Sequence, residues 1–123
     1  MNIKNLTRKK VLSDDFSLCS DSFSKFIGLM FSRNKNKTLI FRFKNEKFVD
    51  LHMFFVFYPI DVLFLNKNKI VVDKKENFKP FTFYKSKKKA MYAIELKEGI
   101  IKKTKTKIGD KIEFLKPKTI IFK

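Results

Sequence analysis

The chain is predicted to be mainly β, a β-rich α+β fold built as a compact jelly-roll-like sandwich or barrel with one or two short helices. Three observations predict this. Short runs of β-branched and aromatic residues recur between turn signals. Sixteen phenylalanines and a 44% apolar fraction supply a core without metal or disulfide. Only one stretch carries a well-capped helical pattern. A length of 123 residues fits a single domain over 1–123, with short mobile ends expected at 1–7 and 116–123.

The elements follow in order. Residues 1–19 hold alternating pieces around Val11-Leu12 and Phe16-Ser17-Leu18, read as two short strands. Asp21 or Ser22 can cap a helix whose Phe23, Phe26, Ile27 and Met30 fall at helical spacing. Ser32 to Lys37 reads as a turn, and Thr38 to Phe43 as a strand. A polar turn at 44–47 leads to a strand region from Phe48 to Phe57, which Pro59 ends. Asp61 to Leu65 and Lys69 to Asp73 flank Asn66-Lys67-Asn68, a hairpin pattern. Phe78 to Tyr84 reads as an edge strand and Met91 to Leu96 as a strand. Lys97 to Lys105 can hold a short helix. Gly109-Asp110 makes a tight turn into Lys111 to Phe114, and Thr119 to Phe122 closes the chain as a last strand.

The bulk numbers bound the function. The net charge of +17 suggests anionic partners. The basic residues are lysines scattered through every segment, with Arg only at positions 8, 33 and 42. Such a pattern neutralises phosphates but does not read guanine edges bidentately, so nucleic-acid binding is expected to be nonspecific. A Lys-rich proteome gives the same composition without any such role. Cys19 is the only cysteine, which excludes an internal disulfide and suits a reducing interior. The start of the chain lacks an apolar leader core, and the apolar run Met53 to Ile60 is too short for a membrane span. A soluble, cytoplasmic protein without a transmembrane segment is expected.

The most unusual stretch is Leu51 to Leu65, LHMFFVFYPIDVLFL, which holds a carboxylate at Asp61 inside an apolar run. A buried carboxylate must find hydrogen-bond donors or reach a cavity.

Around this stretch the chain resembles a known family. The run Phe26-Ile27-Gly28-Leu29-Met30-Phe31 resembles a "(K/R)xxGLM" signature. His52-Met53 with Pro59-Ile60-Asp61-Val62-Leu63-Phe64-Leu65 resembles "(W/H)M…P(L/I)DxxF(L/I)". Tyr92 to Leu96 followed by Gly99 resembles "Y(V/A)LELxxG", and Gly109-Asp110-Lys111-Ile112 resembles "GDxV". In this order, over roughly 8–115, they resemble the domain of unknown function 192, also called uncharacterised protein family 0127. Ile27 and His52 depart from the residues most common at their positions. The resemblance implies a small β-rich, jelly-roll-like fold and no agreed activity.

The residues it singles out are Asp61, Glu95, Met30 and Met53, with His52 beside them. As a ligand site, the first four would surround one cavity, the carboxylates aimed at a ligand and the thioethers lining the wall, with His52 as a further ligand-binding candidate. As structural residues, Asp61 would cap the Pro59 turn and Glu95 would pair with a lysine. As a weak hydrolase, Asp61 and Glu95 would be acid and base. A metal would need Asp50, His52 and Asp61 together, and no metal or other cofactor is expected. Phe81, Phe83 and Tyr84 near Lys85 are the candidates for stacking bases. The reading that follows is a non-catalytic ligand-binding or accessory module with a pocket near Asp61 and Glu95.

Overall fold

The computed structural model describes residues 2–19, 38–52, 58–114 and 119–120. Among these, eleven strands fall into three sheets and one short helix is added, a sandwich-like, mainly β fold rather than a closed barrel. The strands are β1 (Ile3–Asn5), β2 (Lys10–Ser13), β3 (Ser17–Cys19), β4 (Leu39–Lys47), β5 (Asp50–His52) and β6 (Ile60–Leu65). They continue as β7 (Val71–Phe78), β8 (Phe83–Lys85), β9 (Ala90–Lys97), β10 (Ile112–Phe114) and β11 (Thr119–Ile120). The helix α1 spans Ile100–Thr104.

The central sheet has six strands in the order β11-β3-β4-β9-β6-β7. The β11–β3 and β3–β4 pairs are parallel; the others are antiparallel. Strand β6 is buried at all six positions because it lies inside the sheet with both faces covered. That is why Ile60 to Leu65 reads as an unbroken apolar run save for Asp61.

Alternation along the strands divides the core in two. Ile40, Leu63, Ile94 and Leu96 face one side and pack with Ile3, Leu12, Phe16, Ile101, Ile112 and Phe114. The sheet β10-β1-β2 and helix α1 cover this side. Leu39, Phe41, Val62, Phe64 and Ala93 face the other, with Leu51 and Tyr84 from the β5–β8 ribbon and Val49 just before it. Edge-to-face rings lock the first side, Phe114 standing 5.9 Å from Phe16 and 5.2 Å from Tyr92.

Several boundaries differ from expectation. Residues 1–7, expected as a loose end, contribute β1 as the middle strand of its sheet, and Ile3 is fully buried there. The polar stretch 44–47, expected as a turn, continues β4 because Lys47 still pairs with Ala90 across an irregular register. The strand expected over 78–84 is divided. Phe78 closes β7, Pro80-Phe81 makes a turn, and β8 starts at Phe83. The hairpin at Asn66 forms as its sequence suggests, Asn66 Oδ1 accepting the Asn68 and Ile70 amides at 2.9 and 3.0 Å. The helix expected over 21–30 lies outside the described residues. Among the described residues no helix is long and apolar enough to cross a membrane.

Candidate functional site

Asp61 is 1% exposed, and both of its oxygens are occupied by backbone amides. Oδ1 accepts the Asn77 N–H at 3.0 Å. Oδ2 accepts the Gly99 N–H at 3.1 Å and the Ile101 N–H at 2.9 Å. Helix α1 starts at Gly99, which has no side chain to cap the first turn. The carboxylate of β6 supplies that cap from 38 residues away, and its charge suits the positive end of the helix. The amides of Asn77, at φ 51, and Gly99, at φ 95, both belong to left-handed residues whose amides leave the regular ladder. The donors are therefore not those of the Pro59 turn. They join the end of β7, the end of β9 and the helix to one strand.

Glu95 is also 1% exposed, yet the register separates it from Asp61. Glu95 stands opposite Val62 on β6 and Leu39 on β4, on the side of Phe41 and Phe64. Asp61 stands opposite Leu96, on the side of Leu63 and Ile94. The pleat directs the two carboxylates to opposite faces of the sheet. Met30 and Met53 lie outside the described residues. His52 has its backbone in β5 opposite Phe83, and the structure describes no more of it. Among the described residues no three His, Cys, Asp or Glu side chains gather as metal ligands.

Two further buried carboxylates were not singled out by sequence. Asp73, 4% exposed, accepts the Lys74 amide on Oδ1 and the Tyr84 hydroxyl and Lys87 amide on Oδ2, each at 2.8 Å. Burial, then the hydrogen bond and charge of Asp73, push the Tyr84 hydroxyl up to about 12. Asp110, 3% exposed, accepts on Oδ2 from Asn5 Nδ2 at 2.9 Å, Arg8 Nε at 3.0 Å and the Lys107 amide at 2.9 Å. Burial alone would raise the Asp110 carboxyl. Hydrogen bonds from Arg8, Asn5 and Lys107, with the Arg8 charge, outweigh it and hold the group below its ordinary value. Asn5 also donates to Thr106 Oγ1 at 3.1 Å, 2.8 Å from Thr104 Oγ1, so a buried polar chain joins β1 to the end of α1. The sequence signal was present but weak. Asp73 follows two valines in a strand, and Asp110 follows a turn glycine; neither sits in a long apolar run.

The outer surface carries the charge. A shallow groove of about 330 Å³ beside the β1–β2 hairpin is lined by Lys4, Leu6, Lys9, Lys10 and Val11 over buried Asn5. On the far side, Phe48, Phe81 and Phe83 are exposed among Lys79, Lys85 and Lys87 to Lys89.

The model of the DUF192 family, described as an uncharacterized ACR family, matches residues 4–114. The chain belongs to the DUF192 family. A UPF0127 protein of Thermococcus sibiricus is 37% identical over 112 residues, covering 89% of this chain and 72% of that one. Another, from Pyrococcus furiosus, is 36% identical over 112 residues, covering 89% of this chain and 95% of that one. Two crystal structures share the fold. A putative transcription regulator from Sinorhizobium meliloti has a TM-score of 0.76 at 23% identity, over 91% of this chain and 89% of that one. A protein of unknown function from Novosphingobium aromaticivorans has a TM-score of 0.74 at 22% identity, over 92% and 82%. The geometry adds to the DUF192 pattern. Asp61 and Gly99, from two separate signature stretches, meet in one hydrogen bond, and Asp110 of a third ties β1 to the β10 entry.

Proposed function

We propose that this DUF192 protein is a non-catalytic binding module whose partners are anionic and which acts in the cytoplasm. The observation that carries this is the use of its buried acids. Among the described residues, Asp61, Asp73 and Asp110 each accept three hydrogen bonds from within the chain, and the Arg8 guanidinium on Asp110 is the one basic side chain among the donors. With Glu95, four of the twelve acids lie inside. No more than eight remain to face the 28 basic residues other than Arg8, which Asp110 holds, and none of the described basic residues is buried. The lysines therefore present a positive surface in excess of local neutralisation. The single cysteine supports a reducing compartment. A hydrolase using Asp61 and Glu95 is disfavoured, because two carboxylates on opposite sheet faces cannot flank one scissile bond. The same separation disfavours one ligand pocket shared by both.

The test is binding of heparin, polyphosphate and polyuridylate, followed by anisotropy as salt is raised. Binding to all three that weakens steeply with salt supports the reading. Absence of binding at low salt, or turnover of a phosphoester or glycoside substrate lost in Asp61→Asn, overturns it.

A further inference from the structure

We infer that the loop joining β8 to β9, with Lys85 at its entry, is a fixed cationic platform for the phosphate backbone of duplex nucleic acid; this rests on the anionic-partner reading and names where and what it binds. Lys85, Lys87, Lys88 and Lys89 are all exposed, while Ser86 and Ala90 between and after them are buried. Among the described residues no carboxylate pairs with any of these four ammoniums. Other lysines on neighbouring strands are engaged. The Lys74 ammonium pairs with Glu76 at 3.4 Å, Lys47 lies over the Phe43 ring at 4.7 Å and Lys75 over the Tyr84 ring at 5.4 Å. Of the four, only Lys85 rests on a ring, that of Phe48 at 5.9 Å.

The loop is held from inside. The buried Ser86 donates its amide to the Val49 carbonyl at 2.9 Å and its hydroxyl to the Lys88 carbonyl at 2.8 Å, and its Oγ accepts the Val49 amide at 2.9 Å. The Lys87 amide donates to Asp73 Oδ2 at 2.8 Å, the oxygen that also takes the Tyr84 hydroxyl. Two buried polar side chains thus tie down the backbone at residues 86, 87 and 88, and the side chains turned outward from Lys87 to Lys89 are all lysines. A backbone already ordered has less freedom to lose when its ammoniums meet a partner. Asp50 lies opposite Lys85, and Asp73 accepts the Lys87 amide, so four cations face two acids and the loop stays positive.

Charge density selects the partner. Consecutive Cα atoms are about 3.8 Å apart, so the three side chains of Lys87 to Lys89 spring from within about 8 Å of backbone. Duplex nucleic acid carries one charge per about 1.7 Å of axis, or about four over that length. An acidic strand offers a carboxylate on one face only every 6.6–6.8 Å or about that. An anionic membrane holds a protein firmly when an apolar group inserts beside the basic patch, and the residues flanking Lys87 to Lys89 are the buried Ser86 and Ala90. Single strands are gripped by stacking on open rings. Phe48 already carries the Lys85 ammonium, and Phe81 and Phe83 have contacts of their own. Lysine, a compact and strongly hydrated point charge, suits phosphates and reads no base.

The experiment measures anisotropy of a labelled mixed-sequence duplex and of oligothymidylate over a salt series, with polyglutamate and phosphatidylserine vesicles as further probes. The loop variant carries Lys87→Gln, Lys88→Gln and Lys89→Gln together. The control carries Lys97→Gln, Lys102→Gln and Lys103→Gln, three exposed lysines at and beyond the other end of β9. Both lose the same total charge, and the eight residues of β9 set the two groups about 25 Å apart, beyond the screening length of about 10 Å at 0.1 M salt. Both should melt with the parent, because exposed lysines away from caps and core change stability little. The loop variant should bind duplex at least about tenfold more weakly at 0.1 M salt, with its salt slope lowered by about 2–3. The control should keep the parent slope. Lys87→Arg, Lys88→Arg and Lys89→Arg together should bind as the parent does. Oligothymidylate should bind more weakly than duplex. Equal losses in the loop and control variants overturn the platform and leave the anionic-partner reading standing. The platform is also overturned if the arginine variant loses binding, if oligothymidylate binds as tightly as duplex, or if the loop variant loses vesicles or polyglutamate and keeps duplex. Failure of the parent to bind any polyanion overturns both.

Discussion

The Oδ2 atom of Asp61 lies 2.9 Å from the amide nitrogen of Ile101, forty residues further along the chain. Through this contact a central strand sets the start of the helix. Asp61→Ala leaves three amides without their acceptor, two of them from residues at positive φ, and each unsatisfied buried donor costs about 1–3 kcal/mol before relaxation. We expect a loss of about 2–4 kcal/mol, read as a lowered Tm and denaturant midpoint. Asp61→Asn should lose about 1–2 kcal/mol, because one amide group must turn its NH2 toward a backbone donor. A melt unchanged in both variants would show that the cap contributes nothing.

Tyr84 and Asp73 give a signature at high pH. The hydroxyl is raised to about 12 against an ordinary value of 10.0. The folded form therefore keeps its proton where the unfolded chain loses it. The stabilisation is full below pH 10 and is lost as pH rises toward 12. Tyr84→Phe should be less stable by about 1 kcal/mol at neutral pH. The gap between parent and variant should close across that window in denaturant titrations at stepped pH. A constant gap would remove the linkage.

Asp110 acts at the acid end with the opposite sign. Its folded value is held below 3.8, so it stabilises the fold above that pH and ceases to as pH falls through the lower folded value. Asp110→Asn should melt lower at pH 7, and the difference should shrink in melts taken below about pH 4. A variant that tracks the parent at every pH would show that Asn5, Arg8 and the Lys107 amide find equal partners elsewhere.

Gly99 isolates backbone strain from packing. Its φ is 95, and a Cβ there would meet no atom within 4 Å. Gly99→Ala should therefore cost about 1–2 kcal/mol through conformation alone, with the Asp61 bond retained. Hydrogen exchange should find the Ile101 amide still protected relative to neighbouring loops. Loss of that protection would mean that the helix start had moved.

The sequence by itself determined the family and the mainly β class, because short aromatic and β-branched runs have few other ways to bury both faces. It also marked Asp61 as a carboxylate that had to be satisfied inside. It did not determine by whom. The donors at Asn77, Gly99 and Ile101 belong to chain segments that only tertiary packing brings beside β6, and nothing in local spacing encodes that meeting. Likewise β4 runs through a polar stretch at 44–47 because β9 offers it a ladder partner, an effect that outweighs local turn preference. The separation of Asp61 from Glu95 was decided by register. A shift of one residue between β6 and β9 would have put both carboxylates on one face, since side chains alternate strictly along a strand. Register is fixed by how Leu63, Ile94 and Leu96 fill one core and Val62, Phe64 and Ala93 the other. That is a property of the packed sheet, and the linear order of residues does not contain it in readable form.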